Sequence, residues 1–380
     1  MTRTTHYPLI VLLVVGAAAS SSVADSPFAT SVVEFAPAPG QHVNLATFSD
    51  PDKALGPPVG WGTFDGAQTS VVSLGGFGGS ITLAFDHVVE DDALNPFGMD
   101  AIAFGNAFWA SADAERHWAE CATIEIALDA DHSGRIEAYE GWFLIPGSHI
   151  TDPIAQFTSR VWDDDPATED IPPDDLSWVP PGRSGTWTTR AWELPPELFA
   201  YEIIDNPSTQ PDIEGIYGYA EYTPTLILGD WNADNVVDDP LVTPEEFYTA
   251  PDDPLTVGIT PGSGGGDAFD IAWAVHPITK TPAGLPGFDF IRIRNPIDVV
   301  LPLWEEKSPD IDAVADVTPD PFGDCDNDGD IDLADHACFQ DCLGCEGELD
   351  ESCERVDREP DSAIDVADHA AMARRMTGPL

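Results

Sequence analysis

The C-terminal tail carries one acidic pattern twice. The first copy is Asp324-Cys325-Asp326-Asn327-Asp328-Gly329-Asp330-Ile331-Asp332-Leu333-Ala334-Asp335. The second is Asp357-Arg358-Glu359-Pro360-Asp361-Ser362-Ala363-Ile364-Asp365-Val366-Ala367-Asp368. Acidic residues fall at positions 1, 3, 5, 9 and 12 of both, and isoleucine at position 8 of both. Each copy runs into the same four residues, Ala334-Asp335-His336-Ala337 and Ala367-Asp368-His369-Ala370. Few folds satisfy such spacing. A calcium ion collects about six to eight oxygens, so alternate residues at the start of a tight loop turn their carboxylates inward. The carbonyl of position 7 adds an oxygen, and position 12, at the start of a helix, closes the shell. Gly329 takes the sharp turn at position 6, which needs a backbone free of Cβ clash. Ile331 is expected to pack inward and pair with its counterpart Ile364. In the second copy Ser362 stands at the glycine position and Glu359 is long for position 3, so weaker binding is expected there. A loop–helix unit given twice is an internal repeat.

The pattern resembles the dockerin repeat, an EF-hand-type calcium loop followed by one helix, over Gly323 to Met376. The resemblance implies Asp324, Asp326, Asp328, Asp330 (through its carbonyl), Asp332 and Asp335 as ligands of one Ca2+. It implies Asp357, Glu359, Asp361, Ala363 (carbonyl), Asp365 and Asp368 as ligands of a second. It also implies a cohesin-like domain on a scaffold or cell surface as partner. The cysteines between the repeats depart from many dockerins. His336 and His369 take equivalent helix positions and read as ordinary repeat residues.

Before the tail the sequence reads as mainly β. Short apolar or alternating runs recur at Ser31–Phe35, Ser70–Leu74, Ser80–Phe85, Ala101–Phe104, Thr123–Leu128, Trp142–Ile145, Thr225–Leu228, Phe288–Ile293 and Val299–Leu303. Clusters of Gly, Pro, Asn and Asp separate them, the pattern of short strands joined by turns. The expected architecture is a β-sandwich or jelly-roll-like domain over 25–316, a linker at 317–322, and a small α-helical dockerin-like domain over 323–380. A stretch rich in Asp, Pro and Trp, about 151–223, reads as a long insertion between strands. The segments Asp100–Phe108 and Gly265–Ile271 are similar to those of uncharacterised bacterial cell-surface β-sandwich proteins, which implies an exported surface protein and no particular reaction.

Arg3, the apolar run Pro8–Ala19 and the small residues Ser22-Val23-Ala24 form a secretory signal over residues 1–24, with cleavage expected after Ala24. No later stretch is long and apolar enough to span a bilayer, so a secreted or cell-surface location is expected. With 68 acidic residues against 15 basic, a net charge of -53, the chain repels nucleic acid and anionic membranes and suits cations. Five of its six cysteines crowd into the tail; in an exported protein these are expected to form disulfides, with fifteen pairings open to six cysteines. Cys342 and Cys345 have the spacing of a redox or zinc pair, but no second such pair follows.

Three other motifs stand out. Asp230, Asn232, Asp234 and Asp238 repeat the 1-3-5-9 spacing after a predicted strand and form a further candidate calcium loop or a plain Asx turn. Asp129 to Glu140 matches an EF-hand loop by letters, yet predicted strands flank it, so a hairpin connection is expected. The glycine-rich Gly262–Ile271 lacks the lysine of a phosphate loop; its Asp267 and Asp270 are ligands or turn caps. No nucleophile elbow, HExxH helix or zinc triad is present. The expected function is that of a non-catalytic extracellular binding or structural protein, with polysaccharide as a candidate ligand. The alternative is a secreted carbohydrate-active enzyme with the tail as its attachment module; two carboxylates suffice for that chemistry, and so many acids do not single out a pair.

Overall fold

The computed structural model describes residues 25–148, 157–163, 186–192 and 217–372, less positions 41, 44, 65, 67, 115–116, 257, 298–299, 302–304, 321, 326–330, 332, 346, 348, 350 and 359–362. Residues 1–24, expected to be a secretory signal, therefore lie outside the described residues. The described chain is mainly β, with antiparallel pairing throughout.

In chain order the strands are β1 (Ser31–Ala36), β2 (Val72–Ser73), β3 (Ser80–Glu90), β4 (Ala101–Gly105), β5 (Phe108–Trp109), β6 (His117–Trp118), β7 (Ala122–Ala127) and β8 (Phe143–Ile145). They continue with β9 (Phe157–Asp163), β10 (Thr186–Trp192), β11 (Tyr219–Ala220), β12 (Asp267–Phe269), β13 (Gly287–Arg294), β14 (Val300–Leu301), β15 (Glu305–Glu306) and β16 (Asp310–Asp316). One sheet has the order β1-β3-β13-β7-β11, with β8 paired to β7; the other has the order β12-β4-β16-β2. Three two-stranded pieces, β5/β6, β9/β10 and β14/β15, stand apart.

Alternation explains how the sheets meet. Ile81 and Leu83 of β3, Ile124 and Ile126 of β7, and Ile291 and Ile293 of β13 join Ala101 and Ala103 of β4 and Ile311 and Val314 of β16 in one core. The intervening residues of the second sheet, Ile102, Phe104, Ala313 and Ala315, face the other way. They pack with Leu226, Phe247 and Tyr248 in a second core. That sheet is thus covered on both faces, which is why its strands carry so few solvent-facing positions. On the outer face of the first sheet, Glu125 of β7 lies opposite Arg292 of β13.

The predicted strands at Ser31, Ser80, Ala101, Thr123, Trp142 and Phe288 are present, β3 running further than expected. Ser70–Leu74 shortens to β2. Thr225–Leu228 forms no strand, only a bridge from Thr225 to Gly265. The predicted insertion at 151–223 contains the hairpin β9/β10, paired from Phe157↔Trp192 to Asp163↔Thr186; most of the rest of it lies outside the described residues.

From about Ser308 to Phe322 the sequence turns rich in Asp and Pro and carries no predicted strand, yet Asp310–Asp316 is β16, held between β4 and β2. The reason is that its acids are buried and bonded. Ser73 donates to Asp310, whose other oxygen accepts from Asn106 at 3.3 Å. Asp312 sits at a register shift between Ile311 and Ala313. A bulge re-aims its side chain, and its carboxylate accepts from the Val59 N–H at 2.8 Å and the Gln68 amide at 2.6 Å.

The segment 317–322, expected as a linker, is bonded to the β region. Val317 N–H donates to Asp100 O, Thr318 N–H to Thr249 O and Asp320 N–H to Leu94 O. In the tail, α2 (Leu333–Cys342), α3 (Glu351–Glu354) and α4 (Val366–Met372) enclose a third core, with α1 (Pro244–Phe247) belonging to the β region. Phe322, Ile331, Phe339, Val356, Ile364 and Met372 fill that core, and Leu94 of the β region packs against it. Ile331 and Ile364 share this core. The backbone of Ile364 pairs instead with Gly344 N–H at 2.8 Å and Cys345 O at 3.1 Å.

Candidate metal centres

Two disulfides staple the tail, Cys325–Cys338 and Cys342–Cys353. The first ties the start of the first loop to α2, and the second ties α2 to α3. Pairing Cys342 with Cys353 removes the Cys342–Cys345 redox or zinc pair; Cys345 is exposed and outside both bridges, as the odd number of tail cysteines requires. Cys121 is buried in the β region.

The two repeats then show matching hydrogen bonds. The Asp335 carboxylate, at position 12, accepts from the N–H of Cys325 at position 2 (2.7 Å). The Asp368 carboxylate, also at position 12, accepts from the N–H of Arg358 at position 2 (2.9 Å). Asp368 accepts from the Asp365 N–H as well, at 2.8 Å. Asp324, Asp335 and Asp368 are all buried. Buried carboxylates at a helix start, in an otherwise anionic loop, fit a donor set made for a hard cation. Of the other predicted ligands, Asp357, Ala363 and Asp365 lie on the described chain beside these, whereas Asp326, Asp328, Asp330, Asp332, Glu359 and Asp361 lie outside the described residues.

His336 and His369, equivalent in sequence and 33 residues apart, meet with Nε2 atoms 3.2 Å from each other. Gln340 reaches His336 Nδ1 at 3.1 Å. An amide N–H donating to Nδ1 leaves the His336 proton on Nε2, facing His369. The pair joins α2 to α4 and makes the two repeats one unit.

The Asp129–Glu140 segment is the hairpin connection expected, between β7 and β8. It is also more than that. The Asp129 carboxylate accepts from Ser133 N–H at 2.9 Å and Gly134 N–H at 2.6 Å, and Gly134 has φ +81°. Oxygens of Asp129, Asp131 and Glu140 come within 4.8 Å of one another, and Glu140 Oε1 is buried with no hydrogen-bond partner among the described residues. Asp289, at a register shift in β13, accepts the Asp129 N–H at 2.8 Å and fixes where the loop starts. The loop at Asp230 is built the same way. Buried Asp230 accepts from Asp234 N–H at 3.2 Å and Asn235 N–H at 2.8 Å, and Asn235 takes φ +68° at position 6. Asn232 accepts from Asp234 N–H at 3.1 Å, and Asp238 from Trp231 N–H at 3.3 Å. Position 1 bonding to the N–H groups of positions 5 and 6 is thus common to both loops.

The sequence also hides a set of buried acids. Glu221 and Asp310 are both buried, and Glu221 Oε2 accepts the Asp310 N–H at 2.6 Å. Burial pushes the Glu221 carboxyl well above its usual range, with Asp310 and Glu120 adding to the rise. Lys307, pulled down to about 8 by burial, lies among them. Asp267 accepts from the N–H groups of Tyr222 (2.7 Å) and Thr223 (2.9 Å) and is pushed up to about 7 by burial. Asp267 therefore acts as a structural cap. Closed off from solvent, these groups brace the ends of β11, β12 and β16 rather than face a substrate.

Among the described residues no helix is long and apolar enough to cross a membrane. A scan of protein-family models finds no match to this chain, and a search of curated proteins finds none either.

Proposed function

We propose that the chain is an exported, calcium-loaded binding or attachment protein, in which a β-sandwich domain carries a dockerin-like tail. The observation that carries this reading is the matched bond from position 2 to the position-12 carboxylate in both repeats. Asp324, Asp326, Asp328, Asp332 and Asp335, with the carbonyl of Asp330, would hold one Ca2+. Asp357, Glu359, Asp361, Asp365 and Asp368, with the carbonyl of Ala363, would hold the second, more weakly. Asp230, Asn232, Asp234 and Asp238 form a further candidate loop in the β domain. Bound calcium would neutralise each loop and fix the helix that follows it, presenting α2 and α4 as one surface to a cohesin-like partner.

Calcium titration of the full chain after chelation tests this, with proteolysis across the tail as readout. The expected result is calcium-dependent protection that Asp335→Asn reduces more than Asp368→Asn, because the first loop is the complete one. Protection of the wild type that is unchanged by calcium would refute the reading. Capture of a cohesin-type domain only in calcium would support the partner.

A further inference from the structure

A further acidic group lies where the β region receives the tail. Asp91 follows β3, Asp100 precedes β4, and Asp270 follows β12. One carboxylate oxygen from each lies within 4.8 Å of the others. Calcium–oxygen distances are about 2.4 Å, so two ligands on opposite sides of one ion stand about 4.8 Å apart. The three carboxylates fit a single sphere of that size. Among the described residues no ion pair involves any of them.

Asn95 supplies an independent sign. It is 3% exposed, and its Oδ1 is buried without a hydrogen-bond partner. Its amide nitrogen donates to Asp100 Oδ1 at 2.9 Å, which attaches the carboxamide to the carboxylate group. A buried carbonyl with no donor is costly, and such atoms in native structures call for a partner. A cation among the three carboxylates provides one, whereas another hydrogen-bond acceptor does not. The remaining Asp100 bonds, from Asp92 N–H at 3.2 Å and Ile271 N–H at 2.8 Å, hold the carboxylate in place without cancelling its charge. Burial pushes Asp100 up to about 7, with Asp270 adding to it, and lifts Asp270 to about 6, with Asp91 adding to that.

We propose that Asp91, Asp100 and Asp270, with the carboxamide oxygen of Asn95, bind one divalent cation of calcium type at the seam between the β domain and the tail. The location gives it a task distinct from that of the tail loops. The 91–100 loop carries Leu94, which packs on the tail core and whose carbonyl accepts the Asp320 N–H at 3.2 Å. Val317 N–H bonds to the Asp100 carbonyl at 3.0 Å. An ion here fixes the loop that seats the tail.

The test uses the full chain, calcium alone as probe, and Asp91→Asn, a change at an exposed position that keeps size and removes one negative charge. Calcium is counted by equilibrium dialysis, and melting is followed with chelator and with millimolar calcium. The variant is expected to bind one calcium fewer than the wild type. It should melt higher than the wild type in chelator, where like charges are relieved, and gain less from calcium. An unchanged calcium count together with an equal calcium-induced shift overturns the proposal. A companion variant, Asp324→Asn with Asp357→Asn, disables the tail loops. Loss there of an Asp91-dependent calcium overturns the seam site while leaving the tail reading intact; its retention supports a separate ion.

Discussion

Replacing Glu125 with glutamine isolates one buried charge that aligns the sheet bearing the Asp129 loop. Glu125 Oε2 lies 2.7 Å from Arg292 Nε and 3.3 Å from Arg294, while Arg292 stacks over Trp142 at 4.1 Å. Burial pushes the Glu125 carboxyl up, but Arg294 and Arg292 outweigh it and hold it below its ordinary 4.5. Glutamine keeps the volume and an acceptor and removes only the charge. Breaking a buried pair costs about 3–5 kcal/mol when the orphaned partner stays dry. Here the Glu125 side chain is 9% exposed and the two arginines are 19% and 13% exposed. Both guanidinium groups regain some water, which brings the expected cost to about 2–3 kcal/mol. The sign with pH follows from the lowered folded pKa. The contribution is present above about 4.5, the unfolded value, and is lost as pH falls through the folded one. Urea denaturation of both proteins, followed by tryptophan fluorescence at fixed calcium, measures the difference. A cost below about 1 kcal/mol at neutral pH, or one that does not shrink on acidification, would refute the argument.

Two further outcomes follow from the same structure. The tail disulfides close loops with sequence separations of 13 and 11, each worth about 3 kcal/mol. Cys342→Ser with Cys353→Ser should therefore open the tail to protease at lower urea while leaving the melting of the β domain in place, as separate proteolytic fragments would show. His87 bonds Asp316 at 2.8 Å and Asp86 at 3.1 Å. Burial lowers its pKa, yet those two carboxylates raise it above 6.5 overall, so its contribution is full below about 6.5 and fades as pH rises through the folded value. His87→Gln should destabilise more in mildly acid than in alkaline buffer, and equal costs in thermal melts at both would contradict the ion pair.

The parts of the fold legible in the sequence were apolar or alternating runs free of acidic clusters, such as the alternating Thr123–Leu128 and the apolar-rich Phe288–Ile293. Asp310-Ile311-Asp312-Ala313-Val314-Ala315-Asp316 does not alternate cleanly, and the aspartates at its ends and within it mimic a loop. Only the distant partners Ser73, Gln68 and Val59 make those acids acceptable in a sheet. Thr225–Leu228 errs the other way: it has strand composition, but it forms only the isolated bridge to Gly265. The candidate sites divide similarly. The tail loops are contiguous, so spacing exposes them. The Asp129 loop is legible in letters, but its flanking strands point to a hairpin alone, whereas a hairpin and a converged carboxylate set coexist there. The Asp91, Asp100 and Asp270 group joins three separate turns, and no spacing rule reaches across them. Disulfide pairing lay beyond the sequence because distance, not order, chooses among cysteines.

The N-terminal stretch of the described chain runs against the end of β16, with Ala29 N–H bonded to Val314 O and Asp316 N–H bonded to Pro27 O. If the tail anchors the protein, tension applied there travels through the bonded segment 317–322 into β16. It enters a strand held on both sides by β4 and β2 and latched at its exit by Pro27–Ala29. The β domain would thus take a mechanical load along a buried strand rather than along a surface loop.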